Sequence, residues 1–310
     1  MLKSRLQMSF QSSGHTTSAL RALSYGSPLS KFKDDTDGIG FYEVVRGIEE
    51  HFEEKKAELI QNLKQLSRQI FRVDNVMISY TSSEDGLTPI EAAFREIKDT
   101  LYPELDGEET PCVLQLQKTQ RRLLKRLSKV QYVARVGNFI DHGAQYHGAL
   151  QILKVILSYD YLWQNVRVKG GAYGCMSNFN RIGEGYLISY RDPNLKKTME
   201  VYEGVVDYLK NFTVDERDMT KYIIGTISNI DRPMNPAAKG DRSMNLYMNH
   251  VSQEMIRTER SQILHAAQED IRALAAVVEA MLKAEQICVI GSEEKIEEEK
   301  EMFLEVKTLF

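Results

Sequence analysis

The chain has 310 residues, 42% hydrophobic and 27% charged, with a net charge of −4. That length holds one large domain or two ordinary ones of about 100–200 residues, and the composition is that of a globular protein with a real core. The charge argues against a generally nucleic-acid-binding surface, and no run approaches the roughly 18 uncharged apolar residues of a membrane span. Three scattered cysteines, Cys112, Cys175 and Cys288, form neither a CxxC pair nor a disulfide frame, and read as reduced thiols.

From Met1 to Lys33 there is no acidic residue, the basic residues are Lys3, Arg5, Arg21, Lys31 and Lys33, and serine is abundant. This composition suits a transit peptide and an ordinary basic helical segment equally well. Over 41–71 the apolar positions Phe41, Val44, Val45, Ile48, Phe52, Leu59, Ile60, Leu63, Leu66 and Ile70 recur at helical spacing, which predicts one long helix or a pair. "NVMISYT" (75–81) reads as a buried strand. "TPIEAAFREIKDTLY" (88–102) reads as a helix capped by Thr88, with Pro89 in its first turn. The acidic, proline-bracketed stretch 103–111 reads as a linker.

Beyond it, 129–139 alternates like a strand and 148–166 is dense enough in apolar residues for a buried helix. Residues 171–191 predict a hairpin around Asn180–Gly185. Asp192 and Pro193 then predict a cap and first turn, and "TVDE" (213–216) a capping box opening a helix through Ile230. Helices follow to about Lys283, then a strand (286–291) and a charged terminal helix. Grouped strands and grouped helices predict an α+β fold, an antiparallel-rich sheet with helices on one face.

"NVRVKGGAYG" (165–174) joins the buried helix to the hairpin. A phosphate loop follows a strand and opens a helix; here the order is reversed and the glycine spacing fits no nucleotide motif. A helix stop accounts for Gly170 and Gly171 and leaves Arg167 and Tyr173 unexplained.

A search for zinc ligands finds no HxxEH. "HFEEK" (51–55) places Lys55 where a second histidine is needed. His142 and His147 stand in a loop segment with no acidic partner between them. Lys118, Arg121, Arg122, Lys125 and Arg126, read as a helix, share a face that could grip nucleic acid or lipid; a solvated face is the plainer reading. The acidic run 292–301 reads as a solvated surface.

The segments 13–28, 40–45, 131–139, 148–174 and 189–209 together resemble the C-terminal half of presequence proteases, inverzincin metallopeptidases of the pitrilysin and insulin-degrading group. The stretch Tyr161 to Pro193 is the most specific. The resemblance implies a half-clamshell in which 1–102 is the mainly helical end of a third, incomplete unit, 103–111 a linker and 112–310 the fourth unit. It makes residues 1–33 interior sequence. It implies a zinc metalloendopeptidase of unstructured peptides whose zinc and HxxEH sit in a separate N-terminal half.

Arg167 and Tyr173 match the pair with which the C-terminal half reaches the substrate at that zinc. A phenol O–H can donate to the oxyanion that forms during peptide hydrolysis, and a guanidinium suits a backbone carbonyl. Gly170 and Gly171 would let the substrate backbone approach. Lacking the zinc set, the chain alone is expected to be inactive. The implied partners are the zinc-bearing half and the peptide, with neither nucleic acid nor membrane. A partial third unit would expose its apolar helix faces, pack on a second copy or be poorly ordered. The implied compartment is the bacterial cytoplasm, or a mitochondrial matrix or plastid in a eukaryote. The alternative is a naturally non-catalytic peptide-binding or scaffold subunit that pairs with a zinc-bearing protein.

Overall fold

A computed structural model describes residues 1–104, 113–116, 121–126 and 130–309. Four helices come first: α1 (Leu2–Ser12), α2 (Gly14–Leu23), α3 (Pro28–Asp37) and α4 (Ile39–Glu50). They are followed by α5 (Phe52–Ile70) and α6 (Leu87–Lys98). The strands are β1 (Arg121–Arg126), β2 (Tyr132–Asn138), β3 (Gly174–Phe179), β4 (Glu184–Tyr190), β5 (Gln286–Ser292) and β6 (Glu305–Thr308). Helix α7 (Ala149–Ile156) precedes β3. Between β4 and β5 lie α8 (Lys196–Glu203), α9 (Val205–Lys210), α10 (Glu216–Ile230), α11 (Pro236–Met248), α12 (Gln253–Leu264) and α13 (Gln268–Lys283); α14 (Glu293–Glu298) follows β5.

Among the described residues the sheet has the order β3–β4–β2–β5–β1–β6. The β3–β4, β4–β2 and β2–β5 pairs are antiparallel, whereas β1 runs parallel to both β5 and β6. Side chains alternate across a strand, and that alternation feeds two cores. Val133, Leu187, Ile287 and Val289 enter the larger one with residues of α7, α9 and α13. Tyr132, Ala134, Val136, Ile188, Cys288 and Ile290 enter the second, with Leu6, Phe10, Ala22, Ile39 and Tyr42 from the N-terminal helices. Each fully buried aliphatic side chain contributes about 1.5–3 kcal/mol over its exposed state.

The sheet is antiparallel-rich with its main helical layer on one face. The N-terminal helices cover the other face, with α2 lying across β2, β5 and β4. Arg21 on α2 is fully buried 3.3 Å from the equally buried Asp34 on α3. Asp34 also accepts the backbone N–H groups of Ile39 (3.1 Å) and Gly40 (3.2 Å).

Contacts divide the chain into two units. The first is 1–45, 114–231 and 257–310, and the second is 46–113 and 232–256. The expected partition at 1–102, 103–111 and 112–310 rests on the family resemblance, and this division by contacts departs from it at residue 46 and over 232–256. Most of the expected linker, 105–111, lies outside the described residues, as does Cys112; among the described residues neither Cys175 nor Cys288 is in a disulfide.

Several local expectations are corrected. Residues 76–81 are irregular, with Val76, Met77 and Ile78 39%, 48% and 49% exposed. No described strand offers them a ladder, and Met77 and Ile78 line a groove with Met244 and Tyr247 instead. Residues 121–126 form strand β1 and not the expected helix; 118–120 lie outside the described residues. Helix α6 opens at Leu87 after Gly86, so Thr88 is not its cap. Helix α10 is capped by Asp215, which accepts from Asp218 N, and not by Thr213. Asp192 does not cap α8, which opens at Lys196; its carboxylate instead accepts from Asn194 N (2.9 Å) and Thr198 Oγ1 (2.7 Å), turning the chain before the helix. The terminal helix is short and gives way to β6.

Candidate functional site

The segment between α7 and β3 departs from α-helical geometry. Two π-helical stretches, Leu157–Tyr161 and Trp163–Val168, continue α7, with i→i+5 bonds such as Lys169 N to Gln164 O at 2.9 Å. Such widened turns recur at functional sites. Three side chains brace them: Tyr208 Oη donates to Asp160 Oδ2 (3.0 Å), Tyr161 Oη to Val201 O (2.9 Å), and Asn165 Nδ2 to Tyr161 O (2.9 Å). Burial, then the Asp160 carboxylate, pushes the Tyr208 phenol far up, so it remains a donor.

The two glycines end this helix by different means. A Cβ on Gly170 would lie 2.4 Å from Val166 O, so no side chain fits. Gly171 takes φ +81°, the left-handed region. Gly171 N donates to Arg167 O (2.9 Å) and Ala172 N to Val166 O (3.1 Å), a Schellman-like stop one residue wider than on an α-helix. Asn194 Nδ2 closes the corner on Gly170 O at 2.5 Å. Gly171 is exposed, and among the described residues the one atom near its absent Cβ is Pro193 Cγ at 3.5 Å.

Arg167 and Tyr173 stand on the two sides of this stop. The Arg167 guanidinium lies over the Trp163 ring, 3.8 Å from its centroid, and among the described residues it has no carboxylate partner. Its charge reaches Cys175 at the start of β3: burial pushes that thiol up to about 11, Arg167 opposes the rise and Asp192 adds to it. Tyr173 N donates to Tyr190 O (3.0 Å), fixing the first paired residue of the hairpin. Its ring meets Tyr190 edge-on at 5.7 Å, and the side chain is 67% exposed. Tyr190 is braced in turn by His15 (4.8 Å) and Tyr132 (5.6 Å). Burial holds His15 below the usual imidazole range and holds the Asp192 carboxyl above its own against the hydrogen bonds it accepts.

The corner thus presents a fixed cation and a solvent-facing phenol on a braced turn, beside an open glycine. Arg167 and Tyr173, the expected pair, flank this corner; its supports Trp163, Asn194, Tyr190 and His15 are not apparent from the sequence. The one signal toward them is the spacing of Trp163 four residues before Arg167 on a helix.

The described residues do not fit a zinc site. Among them no three His, Cys, Asp or Glu side chains converge. His51 is exposed and 3.6 Å from the exposed Glu54, with Lys55 next in sequence. His147 Nδ1 accepts from Ala149 N (3.2 Å). No described helix is long and apolar enough to cross a membrane.

An α+β domain with such a corner admits many activities, and relatives narrow the class. A family model described as the PreP C-terminal domain matches residues 124–293, more than half of the chain. The chain belongs to that family. It is 39% identical to protein HypA of Clostridium perfringens over 308 residues, 99% of this chain and 31% of that protein. It is 27% identical to presequence protease 1, chloroplastic/mitochondrial, of Arabidopsis thaliana over 309 residues, 98% of this chain and 28% of that one. The chain therefore spans about three-tenths of the length of these relatives. A crystal structure of a protease from Helicobacter pylori superposes with a TM-score of 0.47 and 14% identity, covering 67% of this chain and 52% of that one.

Proposed function

We propose that this chain is the substrate-binding C-terminal half of a zinc metalloendopeptidase that cuts unstructured peptides. The observation that carries the reading is the pairing of a guanidinium that has no carboxylate partner among the described residues with an exposed phenol across one braced helix-to-strand corner, in a chain of the PreP C-terminal family. Zinc chemistry in this reading belongs to a separate N-terminal half, because no described ligand set here fits the ion. Two tasks fall to this chain. Arg167 donates N–H groups to a backbone carbonyl of the bound peptide and fixes its register. Tyr173 donates its O–H to the scissile carbonyl oxygen as negative charge gathers there, a contribution of about 10²–10³ in rate for one well-placed donor. Gly171 leaves room for the peptide backbone to run past the corner.

The test mixes the chain with a separately made zinc-bearing half of a presequence protease and follows cleavage of an unstructured fluorogenic peptide. The expected result is no cleavage by this chain alone, cleavage by the mixture, and large losses in Tyr173→Phe and Arg167→Ala mixtures. Unchanged rates in both variants would remove the assigned roles. A mixture that binds peptide without cutting it would favour a non-catalytic subunit.

A further inference from the structure

Resting on that reading, we propose that Trp163 is a positioning residue for Arg167: its indole face holds the guanidinium and leaves the N–H edge free for a substrate carbonyl. The guanidinium carbon lies 3.8 Å from the ring centroid, well inside the roughly 6 Å over which a cation is drawn to an aromatic face. A stacked guanidinium engages the ring through its plane, whereas its five N–H donors lie in that plane and point outward. An ion pair would do the opposite, consuming those donors. Among the described residues no carboxylate competes for Arg167.

The widened turn makes the stack geometrically natural. Trp163 and Arg167 are four apart within one π-helical stretch, Trp163–Val168. With i→i+5 bonding, more residues fill each turn than in an α-helix, and residues four apart lie closer along the axis. Trp163 itself is 37% exposed, so its role is not that of a core anchor. It is also the chain's single tryptophan, so its emission reports this stack without background.

Two measurements test the proposal. In the chain alone, selective tryptophan excitation with acrylamide quenching should show Arg167→Ala uncovering the indole, with the quenching constant rising about twofold, a solution counterpart of losing the cation–ring contact. Tyr173→Phe should leave it unchanged. An unchanged quenching constant in Arg167→Ala means there is no stack and overturns the proposal. In the peptide-cleaving mixture, Trp163→Ala should raise KM about two- to thirty-fold, the span of a cation–π contact, with kcat within about twofold. Trp163→Phe, which keeps a ring face, should recover most of that loss. The urea midpoints of both variants should stay near wild type, which separates positioning from folding. Wild-type KM in Trp163→Ala overturns the proposal even if Arg167→Ala is impaired. A wild-type rate in Arg167→Ala instead removes the functional reading on which it rests.

Discussion

Helices α7 and α5 carry the same kind of apolar stripe and meet different fates. In α7, Ala149, Leu150, Ile152, Leu153 and Ile156 are all buried against the sheet. In α5 no residue is buried, and Phe52, Leu63, Leu66 and Ile70 remain 46%, 55%, 47% and 45% exposed. Helical periodicity specifies which face of a helix is apolar; it does not specify what covers that face. The first packing unit closes both faces of its sheet, whereas the second leaves α5 uncovered.

That contrast can be broken by mutation. The largest effect is expected at Arg21→Ala, which strands Asp34 as a buried, unpaired carboxylate and should cost about 3–5 kcal/mol in urea unfolding. Leu153→Ala, inside the larger core, should cost about 2–5 kcal/mol. At the site, Gly171→Ala forces a side chain into left-handed backbone and should cost about 1–2 kcal/mol, with peptide cleavage in the mixture falling as the corner loosens. Leu63→Ala on α5 should move stability by under about 0.5 kcal/mol. A Leu63 cost equal to that of Leu153 would erase the distinction between the two regions.

A smaller effect concerns pH. Burial raises the folded-state Asp192 carboxyl above its unfolded value, so the folded protein binds that proton more readily. The resulting stabilisation is full below the unfolded carboxylate range near pH 4 and is lost as pH rises through the raised folded value. Asp192→Asn keeps an acceptor for Asn194 N and has no such titration. Its stability relative to wild type should therefore increase as pH rises from about 4 to 7. A constant difference across that window would mean that Asp192 titrates alike in both states.

Much of this was legible in the sequence. The hairpin, the strand at 286 and the helix pair over 39–70 followed from periodicity and turn residues, and both glycines of the stop could be read from their place at the end of a buried helix. What failed depended on partners distant in sequence. The apolar run at 76–78 looks like a strand locally, yet a strand exists only where another offers a ladder. The basic stretch now seen as β1 is recruited between β5 and β6, both more than 150 residues away. Asp192 reads as a cap from its neighbours, but Thr198 and Asn194 draw its carboxylate into a turn instead. At the site, residue types and the family resemblance named Arg167 and Tyr173. Their aromatic supports depend on a π-helical widening that no simple period encodes.

The central proposal, that Tyr173 stabilises the transition state of peptide cleavage when this chain is paired with a zinc-bearing half, is tested most directly by steady-state kinetics of Tyr173→Phe in the peptide-cleaving mixture. Removing one hydroxyl from a 67% exposed side chain should leave folding and peptide affinity intact. The account predicts a kcat about 10²–10³ lower with KM within about twofold. A kcat equal to wild type, or a loss confined to KM, would contradict it.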